Sequence, residues 1–131
     1  MGWLCDTNIV SELMRREPNP GVTTWVAARD ELVLSVITLE EIRYGLARRE
    51  LPRKAAWFGM LIKSRCRIEP IDQAIAEKAG RWRGLFAGDG VSRTQADLLI
   101  AATVWKGDHT LVTRNTRDFE GCGIPLLNPF T

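Results

Sequence analysis

Five short apolar runs recur along the chain, separated by stretches with helical spacing of their hydrophobic residues, and this alternation constrains the fold more than any other feature. It is the pattern of an α/β domain built around a parallel sheet. Trp3-Leu4-Cys5 and Leu111-Val112-Thr113 do not alternate apolar with polar residues, as suits strands covered on both faces. Leu32 to Val36 reads as a second strand and Arg67 to Ile71 as a third, weakened by Pro70. Ile124 to Leu127 reads as a last strand, placed at an edge by Pro125.

Between these runs the spacing predicts helices. The first covers Asn8 to Met14 and is ended by Pro18 and Pro20, and a second with Val22, Trp25 and Val26 runs to Asp30. Thr38 opens a third, with Leu39, Ile42 and Leu46 on one side, and Arg53 to Ser64 forms a fourth. From Asp72, an N-cap, a long helix places Ile75, Ala79, Trp82 and Phe86 on one face, and Gly88-Asp89-Gly90 breaks it. Ser92-Arg93-Thr94-Gln95 has the form of a capping box for the next helix, Ala96 to Trp105, which is apolar almost all round and therefore expected to be buried. No repeat, low-complexity stretch or linker interrupts the 131 residues, so one domain, 1–131, is expected.

With 45% hydrophobic residues the chain has the composition of a folded domain, not of a disordered segment. No apolar run approaches the ~20 residues of a membrane span. The opening residues lack a basic start followed by a long apolar region, so no secretory signal is expected, and three scattered cysteines make neither a disulfide framework nor a metal knuckle. A reducing, cytoplasmic setting follows. Arg outnumbers Lys by 14 to 4 among the basic residues, which favours phosphate or carboxylate partners over bare charge neutralisation, although an Arg-rich helix face is as often simply solvated.

Functional groups of doubly wound sheets gather where strands end and helices begin. Asp6 ends the first strand, Glu41 falls in the first turn of the helix after the second, Asp97 in the second turn of the buried helix, and Asp118 in the loop after the strand ending at Thr113. Each has a structural alternative. Asp6 can cap the first helix, Glu41 can bond back to Thr38 in a T-x-x-E box, and Asp118 can be a surface turn residue. Asp97 can pair with Arg93, four residues earlier, yet a carboxylate among so many apolar neighbours needs a cation or donors to be tolerated. Carboxylates converging on one rim suit Mg²⁺ or Mn²⁺, hard ions that take oxygen ligands and keep waters. Zinc does not suit a chain whose one histidine is His109.

Four segments, in order and at matching intervals, resemble the PIN-domain toxins of the VapC/FitB group: Leu4 to Leu13, Thr38 to Gly45, Asp97 to Ala102, and Leu111 to Phe119. The closing Leu127-Asn128-Pro129-Phe130 is similar too. The resemblance implies a three-layer α/β/α sandwich with a mainly parallel central sheet, acting as an Mg²⁺- or Mn²⁺-dependent endoribonuclease. Carried over by position, Asp6, Glu41 and Asp97 match the acidic metal-binding residues, and Thr7 and Thr113 match small polar positions beside the metal. The fourth acid stays open: some relatives have an acid where this chain has Asn115, so the duty passes either to Asp118 or to Asn115 through a water. Arg43, Arg93, Arg114 and Arg117 are candidates for gripping RNA backbone or the antitoxin's acids. The same resemblance implies a homodimer, a cognate antitoxin protein, a toxin–antitoxin hetero-oligomer, and operator DNA bound only through the antitoxin.

An aspartyl phosphatase would want a second acid where Asn8 stands, and a receiver domain would want a lysine after a later strand. A DNA-directed nuclease is the nearest enzymatic rival. From a different class, a catalytically weak PIN-like module that binds RNA or protein is the alternative that Asn115 invites.

Overall fold

The computed structural model describes all residues 1–131. In chain order the elements are β1 (Trp3–Cys5), α1 (Thr7–Leu13), α2 (Pro20–Ala27), β2 (Leu32–Ser35), α3 (Val36–Arg48) and α4 (Pro52–Arg65). There follow β3 (Cys66–Glu69), α5 (Gln73–Gly88), α6 (Gln95–Gly107), β4 (Thr110–Val112), a 3₁₀ turn (Thr116–Phe119) and β5 (Leu126–Leu127). The sheet has the order β3-β2-β1-β4-β5, and every neighbouring pair is parallel. β1 therefore lies at the centre, with Leu4 opposite Val33 on one side and Leu111 on the other.

Side chains alternate across the sheet and divide the interior in two. Leu4, Val33 and Leu111 point into a core shared with Ile75 and Ala79 of α5 and Leu98, Ile100, Ala101, Ala102 and Val104 of α6. Cys5, Leu32, Leu34 and Val112 point the other way, onto Ile9 and Val10 of α1, Val22 and Val26 of α2, Ile42 and Leu46 of α3, and Phe58 and Leu61 of α4. The result is the three-layer α/β/α sandwich with α1 to α4 on one face and α5 and α6 on the other. Each fully buried Leu, Ile or Phe in these cores contributes roughly 1.5–3 kcal/mol. α6 is buried along most of its length, as its nearly uniform apolarity led us to expect, although Trp105 at its end is 44% exposed.

Several boundaries differ from the sequence-based expectation. Pro20 does not end a helix but opens α2 at its first position, where the missing N–H costs nothing, with Asn19 as the cap. α3 starts at Val36, because the Ser35 hydroxyl accepts from the Ile37 N–H (3.0 Å) and sets the helix before Thr38 is reached. Glu41 therefore sits in the second turn. Conversely, the cap of α6 is Thr94, whose hydroxyl accepts from the Asp97 N–H (3.1 Å), so Asp97 lies in the first turn and Ser92 caps nothing. β3 stops at Glu69, before Pro70, and β5 is trimmed to two residues after Pro125.

Candidate active site

The chain leaves β1 for β2 and then β3 on one side, but β4 joins on the other, so the strand order reverses between β1 and β4. Side chains at the carboxyl ends of those two strands face the crevice that such a reversal opens. Asp6 follows β1 there, with its N–H still in the ladder to the Val112 carbonyl (2.9 Å), and Thr113 follows β4. The two side chains meet: the Thr113 hydroxyl donates to Asp6 Oδ2 at 2.8 Å. Asp6 Oδ1 accepts from the Thr7 N–H at 2.8 Å, so Asp6 is also the cap of α1. Capping and a role in the crevice use different edges of one carboxylate.

Thr7 connects the second acid. Its hydroxyl donates to Glu41 Oε1 at 2.6 Å and lies 3.0 Å from the buried Thr38 hydroxyl. The T-x-x-E back-bond expected within α3 is thus replaced by a bond between helices, because Ser35 already caps α3. Asn8, which the sequence reading passed over, holds three parts of the site together. Its Nδ2 donates to Asp6 Oδ2 and to Thr113 Oγ1, both at 3.2 Å, and its Oδ1 accepts from the Arg114 N–H at 3.1 Å. Its place in the Asp6-Thr7-Asn8 run was the available signal.

Asp6, Glu41, Asp97, Asn115 and Asp118 all line one cavity of about 690 Å³. Asp6 is 5% exposed, and burial pushes its pKa up to about 6. The Thr113 and Thr7 donors pull the other way, and the charges of Asp97 and Glu41 add to the rise. The half-buried Asp97 is likewise raised by desolvation, against the pull of Thr94, with Asp118 and Glu41 pushing further and Arg93 opposing. No basic nitrogen comes within the 4.0 Å ion-pairing distance of any of the four acids. The Arg93–Asp97 pair does not form: the Arg93 guanidinium donates to the carbonyls of Arg117 (2.7 Å) and Glu120 (3.0 Å), on either side of Asp118. Arg43 is also elsewhere, stacked on Phe58 and donating to the Ala55 carbonyl, while Arg117 is exposed outside the cavity. Of the four candidate arginines only Arg114 lines the cavity.

No three carboxylate, histidine or cysteine groups converge as a finished ligand cage. Four carboxylates, with hydroxyl and amide oxygens beside them and no basic side chain within ion-pairing distance, nonetheless fit a hard divalent ion, which takes few protein ligands and completes its shell with water. Asp6, Asp97, Glu41 and Asp118 would hold it, and their donor chemistry excludes a soft-metal site.

From the acids the cavity continues as a trough along α1. Its lining includes Ser11, Glu12 and Arg15 from α1 and the loop after it, Gly45 and Arg49 along α3, Lys54 at the start of α4, and Arg114 and Phe130. The nearly buried Glu12 accepts from the Asn19 N–H (2.8 Å) and from Arg15 (3.2 Å), which together hold its carboxyl below the usual range. Asn19 in turn clamps the chain end: its Nδ2 donates to the Thr131 carbonyl (3.0 Å), and its Oδ1 accepts from the Thr131 N–H (3.1 Å). Gly21 permits this approach, since a Cβ there would lie 2.3 Å from the Pro129 carbonyl oxygen. The clamp leaves Phe130 in the cavity wall with the Arg114 guanidinium 4.9 Å over its ring.

An all-parallel α/β/α sandwich with an acidic crevice at the β1–β4 switch defines a PIN domain: residues 3–122 match that family, and the chain belongs to it. Within the family it is similar over nearly its full length to the plasmid stability protein StbB of Pseudomonas syringae pv. tomato, at 32% identity with 97% of each chain covered. It is 30% identical to the VapC ribonuclease Y4jK of Sinorhizobium fredii, over 95% of each chain. Among solved structures, FitAcB from Neisseria gonorrhoeae superimposes with a TM-score of 0.83 at 30% identity over 97% of each chain.

Proposed function

We propose that this protein is a Mg²⁺- or Mn²⁺-dependent endoribonuclease, the toxin half of a type II toxin–antitoxin pair. The observation that carries this reading is the set of four carboxylates, Asp6, Glu41, Asp97 and Asp118, lining one cavity without a basic partner. A divalent cation bound there supplies Lewis-acid polarisation of a phosphoryl group and an acidified water. The chain's own residues do the rest. Thr113 and the Thr7 N–H fix the Asp6 carboxylate from two sides, and Thr7 fixes Glu41, so the acids are oriented before substrate arrives. Arg93, by gripping the carbonyls of Arg117 and Glu120, sets the turn that carries Asp118 toward the cavity. Asn115 donates its N–H to the Thr113 hydroxyl (3.0 Å), leaving its amide free to take the fourth position if Asp118 does not. Hydrolysis would leave 5′-phosphate and 3′-hydroxyl ends.

Relatives named as ribonuclease and as tRNA(fMet)-specific endonuclease support RNA as substrate. A cognate antitoxin is supported by the toxin–antitoxin complex from Klebsiella pneumoniae, 27% identical to this chain, and operator binding through it by the FitAB complex with a DNA fragment, 29% identical. A homodimer and a cytoplasmic setting belong to the same reading; no helix is long and apolar enough to cross a membrane. The test is cleavage of a labelled RNA and of the matched DNA by the purified protein in Mn²⁺. The expected result is RNA cutting that EDTA abolishes and Asp97→Ala lowers at least 100-fold. Unchanged cutting by Asp97→Ala, or equal cutting of DNA, overturns the assignment.

A further inference from the structure

The cavity is segregated by charge along its length. Asp6, Glu41, Asp97 and Asp118 stand at one part of it, while Arg15, Arg49 and Lys54 stand where α1 and α3 end and α4 begins. There Glu12 is the one acid and is taken up by Asn19 and Arg15, and Arg114 reaches from the loop after β4 over Phe130. Arg15 is taken up by Glu12, but Arg49, Lys54 and Arg114 have no carboxylate within ion-pairing distance. Between the two ends lies Gly45, on the same face of α3 as Glu41 and Arg49. A Cβ at Gly45 would meet nothing within 4 Å, so packing does not require the glycine. A mid-helix glycine costs about 1 kcal/mol relative to alanine; Gly80 and Gly84 of α5 are equally open, but of these glycines Gly45 alone lines the cavity. Arg114 is not a loose surface arginine. Phe130 supports its guanidinium plane, and Asn19 and Thr131 hold Phe130 in place.

Building on the nuclease reading, we propose that the trough is the track of a single RNA strand. The strand passes over Gly45 as a bare saddle, and phosphates beyond the one at the acids are held by Arg49, Lys54 and Arg114. Glu41 on α3 and Arg49, the residue that caps its end, are eight residues apart, about 12 Å along the helix axis. Strand charges spaced ~3.4 Å apart along a stacked axis make that roughly three nucleotides. The track therefore serves one side of the scissile bond only, and a substrate too short on that side loses its basic contacts. An arginine stacked on an aromatic ring also offers a flat face to a base, which suits a single strand better than a duplex.

The experiment is fluorescence anisotropy of a labelled single-stranded RNA 12-mer in EDTA, across a salt series, with the full chain. Three proteins are compared: the parent, the triple variant Arg49→Gln/Lys54→Gln/Arg114→Gln, and Gly45→Leu. For the triple variant, the slope of log affinity against log salt is expected to fall by about 2, from ~0.7 per charge removed. Its Mn²⁺ binding heat is expected to match the parent's. Gly45→Leu, which has open space for its side chain, is expected to melt no lower than the parent yet to bind RNA at least 10-fold more weakly. Oligonucleotides shortened from one end only are expected to raise KM. If the parent binds and cuts RNA while both variants bind it equally well, the track is refuted and the nuclease reading stands. If the parent neither binds nor cuts RNA, both fall. If the variants lose an acidic peptide while keeping RNA, the basic end serves a protein and the RNA track is refuted.

Discussion

Replacing Asp6 with Asn should stabilise the metal-free protein at neutral pH, although it removes a buried, well hydrogen-bonded side chain. The folded pKa of Asp6 is raised from 3.8 to about 6. The unfolded chain thus loses this proton first, and stability falls as pH rises between the two values. Once pH exceeds both, the cost is fully present. A rise of that size corresponds to about 3 kcal/mol at pH 7.5 and less than about 1 kcal/mol at pH 4. Asn keeps one acceptor oxygen for Thr113 or Thr7 but not both, a loss of about 1 kcal/mol that is the same at either pH. The pH dependence of the difference is therefore the clean quantity. Thermal unfolding followed by circular dichroism in EDTA, at pH 7.5 and pH 4, measures it. D6N should melt several degrees above the parent at pH 7.5 and at or below it at pH 4. His109, buried against Glu69 at the other end of the sheet with a lowered pKa, titrates in the opposite sense, but it is present in both proteins and cancels. Equal differences at the two pH values would refute the claim that Asp6 is held charged against its environment.

Four other expectations follow from contacts in the structure. Thr7→Val, which removes the hydroxyl that holds Glu41, should lower RNA cleavage 10- to 100-fold with little change in melting temperature, as measured in a kinetic assay beside a thermal melt. Arg93→Ala should lower activity by freeing the turn that bears Asp118, whereas Arg43→Ala, whose guanidinium rests on Phe58, should leave activity alone. Comparing kcat for the two variants separates the arginines. Gly21→Ala should destabilise by about 1–3 kcal/mol in denaturant titration, because its Cβ would collide with the Pro129 carbonyl. His109→Phe should flatten the loss of stability on acidification below about pH 6.5, where the unfolded imidazole takes up a proton that the buried one resists.

Legibility in the sequence followed the range of the interactions. The layers could be read because covered strands and one-sided helices write their burial directly into residue order, as in Trp3-Leu4-Cys5 and the face of Ile75, Ala79, Trp82 and Phe86. Asp6, Glu41, Asp97 and Asp118 were legible as candidates because strand ends and helix starts are where an α/β sheet exposes functional groups. Which side chain bonds which was not legible. The Thr7–Glu41 bond joins residues 34 apart, and the Thr113–Asp6 bond joins residues 107 apart. Local rules instead favoured Thr38 for Glu41 and Arg93 for Asp97. The first failed because Ser35 caps α3 and Thr7 reaches Glu41 instead, the second because Arg93 finds two backbone carbonyls. Asn8 was missed because two of its three bonds, to Thr113 and from the Arg114 N–H, exist only after β1 and β4 are side by side.

Titrating Mn²⁺ into the purified protein by isothermal calorimetry, with Asp97→Ala alongside, tests most directly whether the four carboxylates make one cation site. The parent should bind with measurable heat and gain stability logarithmically with free Mn²⁺, by about 2.7 kcal/mol at a hundredfold excess over Kd, and Asp97→Ala should lose both. A parent that binds no Mn²⁺, or a variant that binds it equally well, would mean that these acids share a cavity without sharing an ion.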